Sequence, residues 1–229
     1  MKTIGLVGGM SWESTLEYYR IINETVKEKL NKLHSAKIIM YSVDFEEIEL
    51  LQHKGKWDEL TSLMIEIAQR LEKAGADFIV ICTNTMHKVA EDVEKSVEIP
   101  LLHIVDVTAE KIKAKGINKV GLLGTRFTME DNFYRDRLRK HGIEAIIPSE
   151  KEREIVHSVI YNELCLGVIK ESSREKFKEI IKNLAKRGAE GVILGCTEIP
   201  LLVKQGDVDL PLFDTTEIHA KASVDFALS

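Results

Sequence analysis

Gly188-Ala189-Glu190-Gly191-Val192-Ile193-Leu194-Gly195-Cys196-Thr197-Glu198 is the stretch from which the rest of the chain is best read. Gly191 to Leu194 has the unbroken apolar character of a strand covered on both faces, and it runs into a Gly-Cys-Thr-Glu turn. In an open α/β sheet, ligands sit beyond the carboxyl ends of the parallel strands, so this turn can present the Cys196 thiol where chemistry is done. The same stretch also suits a small buried cysteine filling core space, because free cysteine is among the most buried residue types. Taken alone, the stretch does not separate the two.

A second copy lies upstream. Gly75-Ala-Asp-Phe-Ile-Val-Ile-Cys-Thr-Asn-Thr85 repeats the pattern of Gly-Ala-acid, apolar strand and Cys/Thr-rich turn. Aligning Gly75 with Gly188 is an offset of 113 residues, which sets Cys196 opposite Thr83 and not opposite Cys82. Further upstream, Ile4-Gly-Leu-Val-Gly8 matches Val120-Gly-Leu-Leu-Gly124 at an offset of 116, and Tyr18 then matches Tyr134. Repetition on this scale predicts an α/β protein of two similar Rossmann-like (flavodoxin-like) parallel-sheet domains, each offering a strand-end turn to a shared cleft. The first domain is expected at residues 1–102 plus 209–229 and the second at 103–208. Ile99-Pro100-Leu101 leads into the first crossing. Leu210-Pro-Leu-Phe213 and a helix over 215–228 read as having no counterpart after the first repeat. The chain is therefore expected to cross back there and pack its last helix on the first half.

Between these landmarks, apolar periodicity predicts helices from about Ser14, over 58–74, from near Thr85, and over 107–115, 128–141, 150–168 and 173–187. The hydroxyls and amide of Thr83-Asn84-Thr85 can hold a carboxylate, helped by the amino end of the helix that follows. His87, on that helix, reads as a capping or packing histidine.

Charge and cysteine usage exclude several function classes. The net charge is −5 and the Lys/Arg residues are interleaved with acids, which argues against nucleic acid as a partner. The three cysteines, Cys82, Cys165 and Cys196, are odd in number and have no C-x-x-C or zinc-finger spacing. That predicts no disulfide framework, no structural metal and a reducing cytoplasmic setting. No apolar run approaches membrane-spanning length, and the first residues lack a signal peptide's apolar region. Gly8-Gly9 permits a tight turn but is not G-x-G-x-x-G, and no G-K-[ST] follows, so nicotinamide and nucleotide triphosphates are set aside. No Schiff-base lysine stands out, so the chemistry is expected to need no cofactor.

Two proton-transfer groups facing one another across a cleft suit the inversion of a stereocentre. A thiol is apt for this, because its reference pKa of about 8.5 responds to nearby charge and helix ends. Ile4-Gly-Leu-Val-Gly-Gly-Met10, Asn84-Thr85, Leu122-Leu-Gly-Thr125 with Thr128, and Gly195-Cys-Thr-Glu198 together resemble the aspartate/glutamate racemase family of cofactor-independent amino-acid racemases, over essentially the whole chain. The resemblance implies halves related by pseudo-twofold symmetry, a homodimer, and an amino-acid substrate. It also implies two cysteines, one per half, as base and acid, with Asn-Thr and Thr residues on the α-carboxylate. Mapped onto this chain, it gives Thr83 and Cys196 as the catalytic pair. Met10, Gln52, Asn84, Thr85, Thr128, Cys165 and Thr197 are the candidate substrate-binding residues.

The chain departs from the family pattern in three places. Thr83 stands where the family has its first cysteine. Side chains alternate along a strand, so Cys82 and Thr83 should point opposite ways, with Cys82 buried. A Thr hydroxyl is a far weaker acid than a thiol, so turnover is expected to be slow or unequal in its two directions; the resemblance implies that the cysteine of the second half acts on L-substrates, which points to L-to-D conversion. Ile48 and Cys165 stand where aspartate-specific relatives carry Arg and Lys. Losing those cations removes charge-assisted hydrogen bonds of about 1.5–3 kcal/mol each to an acidic side chain. A broader substrate range, including neutral amino acids such as homoserine, is therefore expected, with Gln52 as a neutral side-chain contact. Two other readings stay open. One is a single-cysteine lyase or isomerase of the same superfamily, and the other is a catalytically idle amino-acid-binding protein.

Overall fold

A computed structural model describes all 229 residues, Met1–Ser229. The chain forms two compact units, one of Met1–Ile104 with His219–Ser229 and the other of Val105–Ile218. No helix is long and apolar enough to cross a membrane.

In the first unit, β1 (Ile4–Gly8) is wholly buried and leads through a Gly-Gly turn into α1 (Trp12–Leu30), whose amino end is capped by the Ser11 hydroxyl. β2 (Ile38–Ser42), α2 (Phe45–His53), α3 (Trp57–Lys73) and β3 (Phe78–Ile81) follow. β1 lies between β2 and β3, all parallel, and a single bridge from Ile79 to Leu101 extends the sheet. The helix expected near Thr85 begins as a tight 3-10 turn, Thr85–Val89, and only then becomes α4 (Ala90–Glu94). Alternation along the strands divides the core into two layers. Val7, Ile79 and Ile81 pack with Ile48, Leu60, Met64 and Ile67 of α2 and α3. Ile4, Leu6, Val80 and Cys82 face the other way, onto Tyr18, Ile22, Ala220 and Val224.

The second unit takes in α5 (Ile104–Ala114) from Val105 on, then β4 (Lys119–Gly124), α6 (Arg126–Glu130), α7 (Asn132–Lys140) and β5 (Glu144–Ile146). α8 (Glu150–Asn162), α9 (Glu171–Lys186), β6 (Gly191–Gly195), α10 (Ile199–Leu202), β7 (Leu212–Asp214) and α11 (Thr215–Leu228) complete the chain. The sheet is parallel throughout, in the order β5-β4-β6-β7. Leu123, Val192 and Leu194 pack on Val156, Ile160, Phe177 and Ile181.

Three expectations are corrected. The helix over 128–141 is two helices, because Asp131 takes an extended conformation between them. The helix over 150–168 stops at Asn162. Glu163 leaves helical geometry, a 3-10 turn at Leu164–Leu166 follows, and Gly167 is left-handed at φ 70°. The segment at 210–213 does have a counterpart. Leu212 pairs with Val192 as Leu101 pairs with Ile79, so Leu210-Pro211-Leu212 repeats Ile99-Pro100-Leu101. β7 therefore belongs to the second sheet, and the chain rejoins the first unit at His219, not at residue 209. One bridged residue and three strand residues are too short a signal to show in an apolar pattern. From His219 on, α11 packs in the first unit as expected.

Candidate active site

In the first unit the strand ends form one group. Gly9 has φ +91°, and a Cβ there would lie 2.3 Å from the Val43 carbonyl, so only glycine makes this turn. Thr15 secures the turn, accepting from the Gly9 N–H at 2.8 Å and donating to the Ser11 carbonyl at 2.9 Å. Met10 is buried in the core beside Val7 and Ile48. Gln52, on α2, is also buried. Its amide nitrogen donates to the Met86 sulfur at 3.2 Å and its Oε1 has no protein partner.

β3 delivers Cys82, Thr83 and Asn84. Cys82 is wholly buried in the layer facing Ile4 and Tyr18, and burial pushes its thiol far up from the ordinary range. Thr83 retains 9% exposure. Both residues lie just beyond the last strand residue, Ile81. Thr83's hydrogen bond is made by its carbonyl, which accepts from His87 Nδ1–H at 2.7 Å. His87 Nε2 in turn faces the Ile104 N–H at 3.2 Å. A backbone amide can only donate, so Nε2 is the acceptor and the proton sits on Nδ1. Asn84 and Thr85 are buried at the start of the 3-10 turn.

In the second unit, Thr125 caps α6, its Oγ1 accepting from the Thr128 N–H at 3.3 Å. Thr128 is wholly buried, with its methyl against the strand-end glycines. A Cβ on Gly124 would meet it at 2.9 Å and one on Gly195 at 3.2 Å. Cys196 follows Gly195, and its Sγ–H donates to Glu198 Oε2 at 2.9 Å. The Thr197 hydroxyl donates to the same oxygen at 2.8 Å. Burial, the negative charge of Glu198 and the nearby Cys165 thiol hold the Cys196 thiol well above its ordinary range. Cys165 itself is half-buried on the 3-10 turn and packs against the cluster that contains Cys196. Asp214, at the end of β7, caps α11 by accepting from the Thr216 and Glu217 N–H groups.

The structure thus groups Met10, Gln52, Thr83, Asn84 and Thr85 in one unit, and Thr128, Cys165, Cys196 and Thr197 in the other. Glu198 is the residue that sequence reasoning passes over. It lies inside the decisive stretch, yet only the folded turn brings an acid at i+2 back onto the thiol. That pairing gives the second unit a thiol with a proton acceptor attached. Thr83 presents a hydroxyl without one bonded to it. No group of three or more His, Cys, Asp or Glu is arranged to hold a metal ion.

Residues 7–223 match the profile of the family described as Asp/Glu/Hydantoin racemase. The broad specificity amino-acid racemase RacX of Bacillus subtilis is 25% identical over 238 residues, covering 99% of this chain and 98% of that protein. Among solved structures, a candidate Asp/Glu racemase from Yersinia pestis is 58% identical with a TM-score of 0.94, and an aspartate racemase homologue from Pyrococcus horikoshii is 40% identical with a TM-score of 0.87. Both alignments cover 100% of either chain.

Proposed function

Because the chain belongs to the Asp/Glu/Hydantoin racemase family, we propose that it is a cofactor-independent amino-acid racemase in which Thr83 and Cys196 exchange protons with the two faces of the substrate α-carbon. The observation that carries this reading is the Cys196 thiol bonded at 2.9 Å to the buried Glu198 carboxylate, at the carboxyl end of a parallel strand. A buried thiol beside a negative charge rests in its protonated form. To act as a base it first passes that proton to Glu198, and the thiolate then takes the α-proton of an L-substrate. Thr83 delivers a proton to the opposite face and regains one from solvent, while Glu198 releases to solvent the proton it took, so both groups return to their starting forms. The D-to-L direction needs a Thr alkoxide as base, so kcat is expected to be higher from L to D, with kcat/KM equal in the two directions because the enantiomers are equal in free energy.

Asn84, Thr85 and Thr197 are assigned to the polar groups of the substrate. Met10, Gln52 and Thr128, all buried, are likewise assigned to substrate binding. Ile48 is wholly buried and apolar, and a thiol such as that of Cys165 is never cationic, so neither offers a cation to a side-chain carboxylate. This supports a range broader than aspartate and glutamate, extending to neutral amino acids such as homoserine. One observation favours a second reading: the acid partner serves Cys196 alone, which also suits a single-cysteine lyase or isomerase.

The test is proton NMR in D₂O with L- and D-aspartate, glutamate and homoserine. α-Deuteration with optical inversion is expected in the wild type and in Cys82→Ala, and is expected to be lost in Cys196→Ala. Loss in Cys82→Ala with Thr83→Ala unaffected would move the pair to Cys82 and Cys196. Exchange without inversion in the wild type favours single-cysteine chemistry. Neither exchange nor inversion with any substrate would leave an amino-acid-binding protein.

A further inference from the structure

Thr83's hydroxyl is not held by a hydrogen bond of its own, yet the residue sits on a turn pinned from one side. His87, 2% exposed, is bonded through both ring nitrogens. Nδ1–H donates to the Thr83 carbonyl at 2.7 Å and Nε2 accepts from the Ile104 N–H at 3.2 Å. Rings close off its faces. His103 lies edge-on with centroids 4.6 Å apart, and His219 lies 5.7 Å away. His219 is fixed in its turn, with Nε2–H donating to the Leu102 carbonyl at 2.9 Å and Nδ1 accepting from the Tyr18 hydroxyl at 2.8 Å. The ring of His87 therefore cannot swing away without breaking two bonds inside a packed interior.

Pinning a residue's carbonyl fixes its ψ, and with it the direction of its Cα–Cβ bond. We propose that His87 is a positioning residue for inversion: through the Thr83 carbonyl it sets where the Thr83 hydroxyl points, without itself touching the substrate. The inference rests on the reading of Thr83 as a proton-transfer group. It has a consequence that a general structural role lacks. Solvent exchange of the α-hydrogen of an L-substrate needs only Cys196 with Glu198, whereas inversion also needs Thr83 in place. Loosening Thr83 should uncouple the two.

The experiment measures both rates in D₂O for the full chain, comparing wild type with His87→Ala, His87→Asn and His87→Gln. In His87→Ala, inversion is expected to fall by about tenfold or more, the scale of a misplaced reacting group, while exchange into the L-substrate is kept. An Asn amide nitrogen falls near the place of Nδ1 and can donate to the Thr83 carbonyl, so His87→Asn should recover inversion. A Gln amide falls near the place of Nε2 and should not. A parallel fall of exchange and inversion in His87→Ala, or equal rates in the Asn and Gln variants, overturns the proposal. ¹⁵N NMR of the wild-type histidines gives a check that no variant can spoil by misfolding. His87 must be the neutral Nδ1–H tautomer, and an Nε2–H tautomer refutes the arrangement. If wild type shows neither exchange nor inversion, the Thr83/Cys196 reading itself fails and the proposal falls with it. Exchange in wild type with coupled losses in His87→Ala leaves that reading standing and removes only the role of His87.

Discussion

Replacing Glu198 by Gln should make the Cys196 thiol more acidic and the enzyme slower. The Glu198 side chain is nearly isosteric with Gln, so the turn is kept, but its negative charge and its ability to take a proton are lost. Two hydrogen bonds converge on one oxygen, from Cys196 at 2.9 Å and from Thr197 at 2.8 Å. A hydrogen bond to a charged group contributes about 1.5–3 kcal/mol, which is about 10- to 100-fold in rate where it acts in the transition state. A positioned general base is worth about 10²- to 10⁴-fold. Turnover in the L-to-D direction is therefore expected to fall about 100-fold, near the overlap of the two ranges. Over the same substitution the thiol loses one of the causes that hold it up, the charge of Glu198, while its burial is unchanged. The assay pairs turnover with the pH profile of iodoacetamide alkylation at Cys196, in a Cys165→Ala background. Slower turnover together with alkylation at lower pH is the expected signature. Undiminished turnover would refute the shuttle, and so would an alkylation profile that stays put or moves to higher pH.

Three further outcomes follow from the same geometry. Thr83→Cys places a thiol where the hydroxyl stands and should raise turnover, most in the D-to-L direction, as read by circular dichroism of the product; equal or lower rates in both directions would count against Thr83 as the second proton-transfer group. His219 is buried neutral with its pKa pushed down to about 4 by burial, against about 6.5 when unfolded. Between those values the unfolded chain holds the extra proton, so stability is intact above about pH 6.5 and falls as pH drops toward 4, by about 3 kcal/mol in all. Urea unfolding of wild type and His219→Asn at pH 7 and pH 5 should show most of this acid sensitivity missing in the variant. Gly124→Ala would set a methyl 2.8 Å from the Gly195 carbonyl and 2.9 Å from the Thr128 methyl, and should cost about 1–3 kcal/mol by thermal denaturation. Thr128→Ser should not rescue it, because the carbonyl remains.

Much of the fold was legible because buried parallel strands advertise themselves as apolar runs with turns at their ends. Ile4–Gly8, Phe78–Ile81, Lys119–Gly124 and Gly191–Gly195 all appear this way, and their repetition determined two parallel α/β sheets. Period-two alternation likewise pointed to Cys82 as a core residue, and it is wholly buried. Tertiary structure decided what depends on contacts distant in sequence or on the path of a turn. The short β7 shows its place only through pairing with β6, so the point of return at His219 was invisible in apolar periodicity. Glu198 turns back onto Cys196 only once the chain has left β6, and the hold of His87 on Thr83 is completed by an amide 17 residues further along. Local sequence carries the period of each element. The partners of a buried polar group are chosen by packing, which no single stretch of chain contains.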